Sequence, residues 1–348
     1  MKKKILTILL AIALTGNMLA ADTVVYAAEE NTLEEETSIS EVMDEQVSEN
    51  ALAEAATEPG EQEKEDNAEE KIEVDKDTDA DAEILYSGKD GDLNWSIDSN
   101  GLLTISGVGD YNSDEYDGSA DWTCYPKCEK IKTAKVSVSG ITNASGMFKS
   151  CYKMESIDLS ELDTSQVTDM SHMFDYCIAL TDINLTNFDT DRVRNMEGMF
   201  SHCASIRTLD LSHFNTENVT NMSYMFEMEN YYDDSDIQGN NLTEINLSSF
   251  DTSNVVNMSS MFEGCCNLSE IDLHNFNTSQ VTDMSAMFKD CNGLEKLDVS
   301  QFDTSKVTDM GFMFYWCDKI KVNPHPWVLQ NKRNRHFQAI SIDLNLDI

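Results

Sequence analysis

Positive charge is scarce in this chain. Lysine and arginine number 24 against 64 aspartates and glutamates, a formal net charge of −40 over 348 residues. Repulsion on that scale argues against nucleic acid or an anionic membrane as a partner, while it permits basic partners and divalent cations. Long apolar runs are missing too. The run ILTILLAIAL follows Lys2, Lys3 and Lys4 and is well under the ~20 residues that a spanning helix needs. Small residues follow, up to Val25-Tyr26-Ala27. That three-part design reads as a secretory signal peptide over 1–27. The mature chain is therefore expected to be secreted or on a bacterial cell surface, with no transmembrane segment. Cysteine is absent before Cys124, so the lipid-modified cysteine of a bacterial lipoprotein has no residue to use. Aromatic residues are absent from 28–83, where 23 Asp and Glu stand against three lysines. Such a stretch buries too little apolar surface to offset its ordering entropy, and it reads as a disordered acidic spacer.

What the chain does have is a repeat. A Met-Phe pair recurs at Met147, Met173, Met199, Met225, Met261, Met287 and Met313, at intervals of 26, 26, 26, 36, 26 and 26 residues. One unit, LTDINLTNFDTDRVRNMEGMFSHC, runs from Leu180 to Cys203. Its first part, Leu180-x-x-Ile183-x-Leu185, alternates like a short strand and carries the leucine-rich-repeat signature. Its last part places Met196, Met199, Phe200 and Cys203 at i, i+3, i+4 and i+7, which predicts one face of a two-turn helix. The residue before that segment is Asn143, Asp169, Asn195, Asn221, Asn257, Asp283 or Asp309, and Asn and Asp are leading helix caps. A second Asx column, each member followed by Thr, holds Asp163, Asp189, Asn215, Asp251, Asn277 and Asp303, where such side chains bond their own backbone in turns.

No single unit can bury both its strand and its helix stripe, so the units must stack. The expected fold is an α/β repeat solenoid, leucine-rich-repeat-like: a right-handed coil with one parallel strand and one short helix per rung. Seven repeats would span 141–322, with an insertion near 227–241. Residues 84–140 would form an N-terminal β cap. There Leu93, Trp95 and Ile97 alternate, Asn100-Gly101 supplies the turn, and Leu103 and Ile105 resume. Pro324 and Pro326 end the array, which leaves 323–348 as a tail.

The methionine and cysteine columns are read as core. A flexible thioether suits the gaps beside a Phe ladder, and buried cysteine behaves as a small hydrophobe. Thioethers and thiols also favour Cu(I), but a copper protein would gather its ligands at one locus rather than spread them evenly. Cys151, Cys177, Cys203, Cys265, Cys291 and Cys317 are expected as free thiols. Cys124 and Cys128 could pair, or one could meet Cys151. No cofactor and no metal are expected. The insertion residues Asp234-x-Asp236-x-Gln238-Gly239 look like the start of a calcium loop, yet Ile245 stands where the closing Glu belongs.

The units SELDTSQVTDMSHMFDYCIALTDINL and SSFDTSNVVNMSSMFEGCCNLSEIDL resemble the 26-residue repeats of BspA-like leucine-rich-repeat surface proteins, a repeat type also found in Mycoplasma lipoproteins. The segment GDLNWSIDSNGLLTISGVGDY, with Trp122 ahead of the first unit, is similar to the one that precedes such repeats in Gram-positive secreted members. The resemblance covers roughly residues 84 to 320. It implies an extracellular surface protein that binds host or neighbouring-cell proteins, such as matrix components, and mediates adhesion. It supplies no catalytic residues. Wall-attached relatives carry a sorting motif or wall-binding repeats, and this C-terminus shows neither.

No enzyme is expected. The six histidines (His172, His202, His213, His274, His325 and His336) fall in no shared column, and no nucleophile, base and orienting group converge in the pattern. Two features are candidate binding surfaces. The residue between the strand aliphatics, Asp158, Asn184, Asp210, Asn246, Asp272 and Asp298, must face away from the core. This predicts an acid-rich stripe suited to a basic protein segment. Tyr231 and Tyr232 in the insertion are adaptable contact residues. The alternative functions are a secreted scaffold without a specific ligand and, more distantly, a secreted enzyme.

Overall fold

A computed structural model describes residues 82–112, 120–228 and 240–320. The expected signal peptide, nearly all of the acidic spacer, the C-terminal tail and the insertion residues Tyr231, Tyr232 and Asp234 to Gly239 lie outside the described residues. Seven strands are present among the described residues: β1 (Ile84–Asp90), β2 (Leu93–Asp98), β3 (Leu102–Val108), β4 (Thr133–Ser139), β5 (Ser156–Leu162), β6 (Thr208–Asp210) and β7 (Glu244–Asn246).

The predicted hairpin is present. β2 and β3 pair antiparallel, with Trp95 opposite Ile105 and Ile97 opposite Leu103. Their turn needs Gly101, whose φ is +88° and where a Cβ would lie 2.5 Å from the Lys130 carbonyl. Asp98 fixes the turn by accepting the N–H groups of Asn100 and Leu102, each at 2.9 Å. β1 adds an antiparallel strand on one side, while β4 and β5 continue the sheet in parallel on the other. Hydrogen bonds join this sheet region to the first Met-Phe unit. Asp110 accepts the N–H of Thr142 at 2.6 Å, and the Trp122 indole donates to the Met147 carbonyl at 2.8 Å.

Beyond β5 the units stack in register. Isolated parallel bridges join Asn143 to Asp169, Asp169 to Asn195, Asn195 to Asn221, Asn221 to Asn257, Asn257 to Asp283 and Asp283 to Asp309. Seven phenylalanines from Phe148 to Phe314 form one ladder, with ring centroids 5.5 to 6.0 Å apart and planes 4° to 18° from parallel. The methionines of both columns are buried except Met310, which is partly buried. Stacked rings add about 0.5–1.5 kcal/mol per pair beyond the area they bury.

The short helix per rung is corrected. Among the described residues there is no α-helix, only two 3-10 turns at Asp121–Thr123 and Cys128–Lys130. A helix would satisfy its N–H groups four residues back within the same segment. Here they go to the next unit: Met170, His172, Phe174 and Tyr176 donate to the carbonyls of Asn195, Glu197, Met199 and Ser201 at 2.9, 2.7, 3.0 and 3.0 Å. The N–H groups in between close three-residue turns, such as Met173 to Met170 and Cys177 to Phe174. His172 (φ 55°) and Tyr176 (φ 59°) take left-handed conformations that end each turn. Two consecutive turns bury i, i+3, i+4 and i+7 just as a helix face does.

The strand per rung is also corrected. Among the described residues, the column expected to form strands holds only β5, β6 and β7 and the single bridge Glu270 to Lys296. The Asx residue in the strand centre accompanies this shortening, although Asp158 makes the same bond inside the seven-residue β5. Asn184 accepts the N–H of Thr186 at 3.1 Å and Asp272 that of His274 at 3.1 Å, which bends the chain away after about three extended residues.

Candidate functional site

The six predicted stripe residues lie on the described surface, while Tyr231 and Tyr232, the second candidate surface, lie outside the described residues. Asp158, Asn184, Asp210, Asn246, Asp272 and Asp298 are all exposed. Asp210 sits opposite Asn246 in the parallel pair β6 and β7, so neighbours are one strand spacing, ~4.8 Å, apart. Every one of the six uses one side-chain oxygen to accept the N–H two residues on, at 2.9 to 3.2 Å. These bonds also fix the charge. The Ser160 hydroxyl and N–H hold the Asp158 carboxyl below the usual carboxylate range. Ser212, His274 and Ser300 do the same for Asp210, Asp272 and Asp298. Beside the stripe, Glu270 and Lys296 form an exposed ion pair across two units at 2.8 Å.

The second Asx column behaves as the turn chemistry predicts. Asp163, Asp189, Asn215, Asp251, Asn277 and Asp303 each accept the N–H two residues on. The column from Asn143 to Asp309 makes the same bond, but it opens a turn rather than a helix. The six ladder cysteines are buried thiols, and Cys128 is a buried thiol as well. The ladder is more polar than a hydrophobe column. Cys177, Cys203, Cys265, Cys291 and Cys317 donate to the carbonyls of Phe148, Phe174, Phe226, Phe262 and Phe288 in the preceding unit, at 3.2, 3.2, 3.1, 3.1 and 2.8 Å.

One grouping escaped the column reading. His172 and His202 both approach Asp175. His172 Nδ1 is 3.1 Å from Asp175 Oδ2, and its Nε2 is 3.9 Å from Glu197. His202 Nδ1 is 3.8 Å from Asp175 Oδ1 and 3.9 Å from Glu227. Ser201 Oγ lies 2.7 Å from His202 Nδ1 and donates to Glu227 at 3.1 Å. Asp175, Ser201, His202 and Glu227 are buried. A helix would have turned the position after Phe174 toward solvent, whereas the paired turns fold it inward. Gly198 leaves room for the His172 ring, because a Cβ there would lie 2.6 Å from Nδ1. The side chains form a chain rather than a ring: among the described residues, no three His, Cys, Asp or Glu are arranged to hold a metal ion. Nor is any helix among them long and apolar enough to cross a membrane.

The repeats have known counterparts. Residues 142–246 and 228–342 match the family described as Mycoplasma protein of unknown function, DUF285. No curated protein matches the chain. A leucine rich cell surface protein from Faecalibacterium prausnitzii is 18% identical, over 60% of this chain and 53% of that one, with a TM-score of 0.34. A leucine-rich repeat protein from Eubacterium ventriosum is 16% identical, over 66% of this chain and 82% of its own, with a TM-score of 0.18. This chain thus spans little more than half the length of the first of these structures. The family matches run together from residue 142 to 342, over half of the 348 residues. The chain therefore belongs to the DUF285 family, in agreement with the Mycoplasma-type, BspA-like resemblance of its 26-residue repeat.

Proposed function

We propose that this is an extracellular interaction protein, exported by its N-terminal signal sequence, that binds basic segments of host or neighbouring-cell proteins and mediates adhesion. The units would wind as a leucine-rich-repeat-like solenoid whose outward face presents the stripe. One observation carries the reading: the six stripe residues are exposed, in register, and their four carboxylates are held ionised by turn hydrogen bonds. A turn alone needs only an Asx oxygen, which Asn supplies as well as Asp. Aspartate at Asp158, Asp210, Asp272 and Asp298 therefore adds charge beyond what the turn requires. Binding rather than catalysis fits the described polar groups. Ser201 and His202 are adjacent in sequence and buried, and Ser201 meets the same ring nitrogen that faces Asp175 and Glu227. That leaves no oriented nucleophile at a cleft.

The test is capture of extracellular-matrix and cell-surface protein fractions at low and high salt. The wild-type chain should retain basic proteins and release them as salt rises. The triple variant Asp210→Lys, Asp272→Lys, Asp298→Lys should lose both the retention and the salt dependence. Unchanged binding and unchanged salt response in the variant would sink the assignment of the stripe.

A further inference from the structure

The five-stranded sheet ends at β1, which pairs with β2 on one side. In an antiparallel pair, alternate residues turn their N–H and C=O groups away from the partner strand. β1 therefore presents a row of backbone groups that no described strand meets, and such an edge is a template for a further strand. The usual protections of an edge are slight here. β1 has no proline and a single lysine, Lys89. A register shift interrupts the ladder between Ile84 and Tyr86, and Gly91, at φ 56°, turns the chain after Asp90. Tyr86 to Lys89 is the regular stretch between them, with Ser87, Gly88 and Lys89 exposed.

One position on this edge carries an unmet polar group. Gly88 stands opposite Trp95. A Cβ at Gly88 would lie 3.0 Å from Cζ2 of the indole and 3.1 Å from both Cε2 and Nε1. The ring thus reaches across β1, and its nitrogen edge lies over the outermost strand. Trp95 is only 6% exposed, and among the described residues its Nε1 has no hydrogen-bond partner. A buried indole N–H ordinarily finds one. Trp122 does so, donating to the Met147 carbonyl at 2.8 Å. Lys127 Nζ lies 5.0 Å from the Trp95 ring centroid and pairs with Asp121. An ammonium only donates, so it cannot serve the indole N–H.

We propose that β1 is a docking edge for an extended segment of a partner protein, one that carries aspartate opposite Gly88. An added strand lies ~4.8 Å from β1. In a directly opposed antiparallel pair the Cβ positions are about 4.5–5.5 Å apart and share a face of the sheet. The partner's side chain opposite Gly88 therefore enters on the Trp95 face. Glycine puts no side chain between it and the indole edge. An aspartate oxygen there accepts the Nε1 hydrogen, and the Lys127 ammonium beside the ring favours a carboxylate over a neutral acceptor. The backbone row supplies attachment, and the Gly88–Trp95 position supplies selection. A second copy of this chain fits less well. The only carboxylate of β1 is Asp90, and pairing that sets it opposite Gly88 brings Lys89 against its own copy, like charge to like. Asp90 is also already engaged, accepting the N–H groups of Asn112 and Asp121 at 3.0 and 2.8 Å.

The experiment is nuclear magnetic resonance of the nitrogen-labelled full chain, titrated with strand-length peptides of alternating threonine and valine. One peptide has aspartate at its centre and one has leucine there. A third is the aspartate peptide with every backbone nitrogen methylated. The chain has four tryptophans, and Trp95→Phe identifies the Trp95 indole signal by its loss. The aspartate peptide should shift that signal and bind about tenfold tighter than the leucine peptide. The methylated peptide should leave it unmoved. Trp95→Phe should bind the aspartate and leucine peptides alike. If Trp95→Phe fails to fold, the three peptides on the wild type carry the test, with the indole signal assigned through its proximity to Gly88. Equal affinity of the aspartate and leucine peptides for the wild type, an unmoved Trp95 signal, or equal binding of the methylated peptide would overturn the proposal. A Trp95 signal that moves with protein concentration alone would give the edge to a second copy and overturn it too. The lysine substitutions at Asp210, Asp272 and Asp298 should leave these affinities unchanged, so the edge and the stripe stand or fall separately.

Discussion

Thr216 stands in for a stretch of backbone. Its Oγ1 accepts the N–H of Asp251 at 2.8 Å and donates to the carbonyl of the same residue at 2.9 Å, and the side chain is fully buried. Thr164, Thr190 and Thr252 make the same double bond to Asp189, Asn215 and Asn277. A hydroxyl both donates and accepts, so it can close a ladder position where two chains lie too far apart to pair directly. Thr216→Val keeps the shape and strands both groups of Asp251. An orphaned buried partner costs about 1–3 kcal/mol. Urea unfolding should show a lower midpoint by that free energy with an unchanged slope. Thr216→Ser keeps both bonds and should retain most of the stability. An equal loss in Thr216→Ser and Thr216→Val would show that the methyl group, not the hydroxyl, matters.

At the scale of the element, the columns were legible and the backbone between them was not. Met173, Phe174 and Cys177 are buried as their spacing requires. That spacing is degenerate, because two tandem turns and two turns of helix hide the same four positions. The visible signal against a helix was weak: the residues that adopt positive φ include His172, Tyr224, Ser260, Ala286 and Phe312, types that do not announce a left-handed turn as glycine does. The histidine–carboxylate chain was hidden for the same reason, since a helix reading sends Asp175 to solvent and keeps His172 and His202 apart. The turn columns and the hairpin were legible because Asx and Asn-Gly chemistry is local. The paired turns also have a chemical consequence. Burial raises the thiols of the ladder, with Cys317 pushed up to about 12, and only the thiolate reacts. A thiol reagent added to the native chain should modify Cys124, which is exposed, and more slowly Cys266, which is half-buried. The other seven should react only on unfolding. Mass spectrometry after brief labelling gives the count, and early modification of Cys203 or Cys265 would mean that the array opens locally under native conditions.

At the scale of the whole molecule, one excess of charge has two opposed effects. Residues 28–83 carry −20 of the net charge of −40, and the remainder strains the compact state through self-repulsion. The array softens this along most of the stripe by alternation: neutral Asn184 stands between Asp158 and Asp210, and neutral Asn246 between Asp210 and Asp272, while Asp298 follows Asp272 directly. Carboxylates two units apart are separated by about 10 Å, twice the strand spacing. At ~0.15 M salt the screening length is about 8 Å, shorter than that separation. Salt should therefore raise the thermal midpoint of the folded chain while it weakens capture of a basic partner. The variant Asp210→Asn, Asp272→Asn, Asp298→Asn separates charge from structure, because Asn184 and Asn246 already make the same turn bond at 3.1 and 3.2 Å. It should melt higher than the wild type at low salt, show a smaller rise with salt, and bind basic proteins less. A thermal midpoint that falls as salt is added would mean that cross-unit ion pairs such as Glu270 with Lys296 outweigh the repulsion, and the stripe would then be a neutralised surface rather than a charged one.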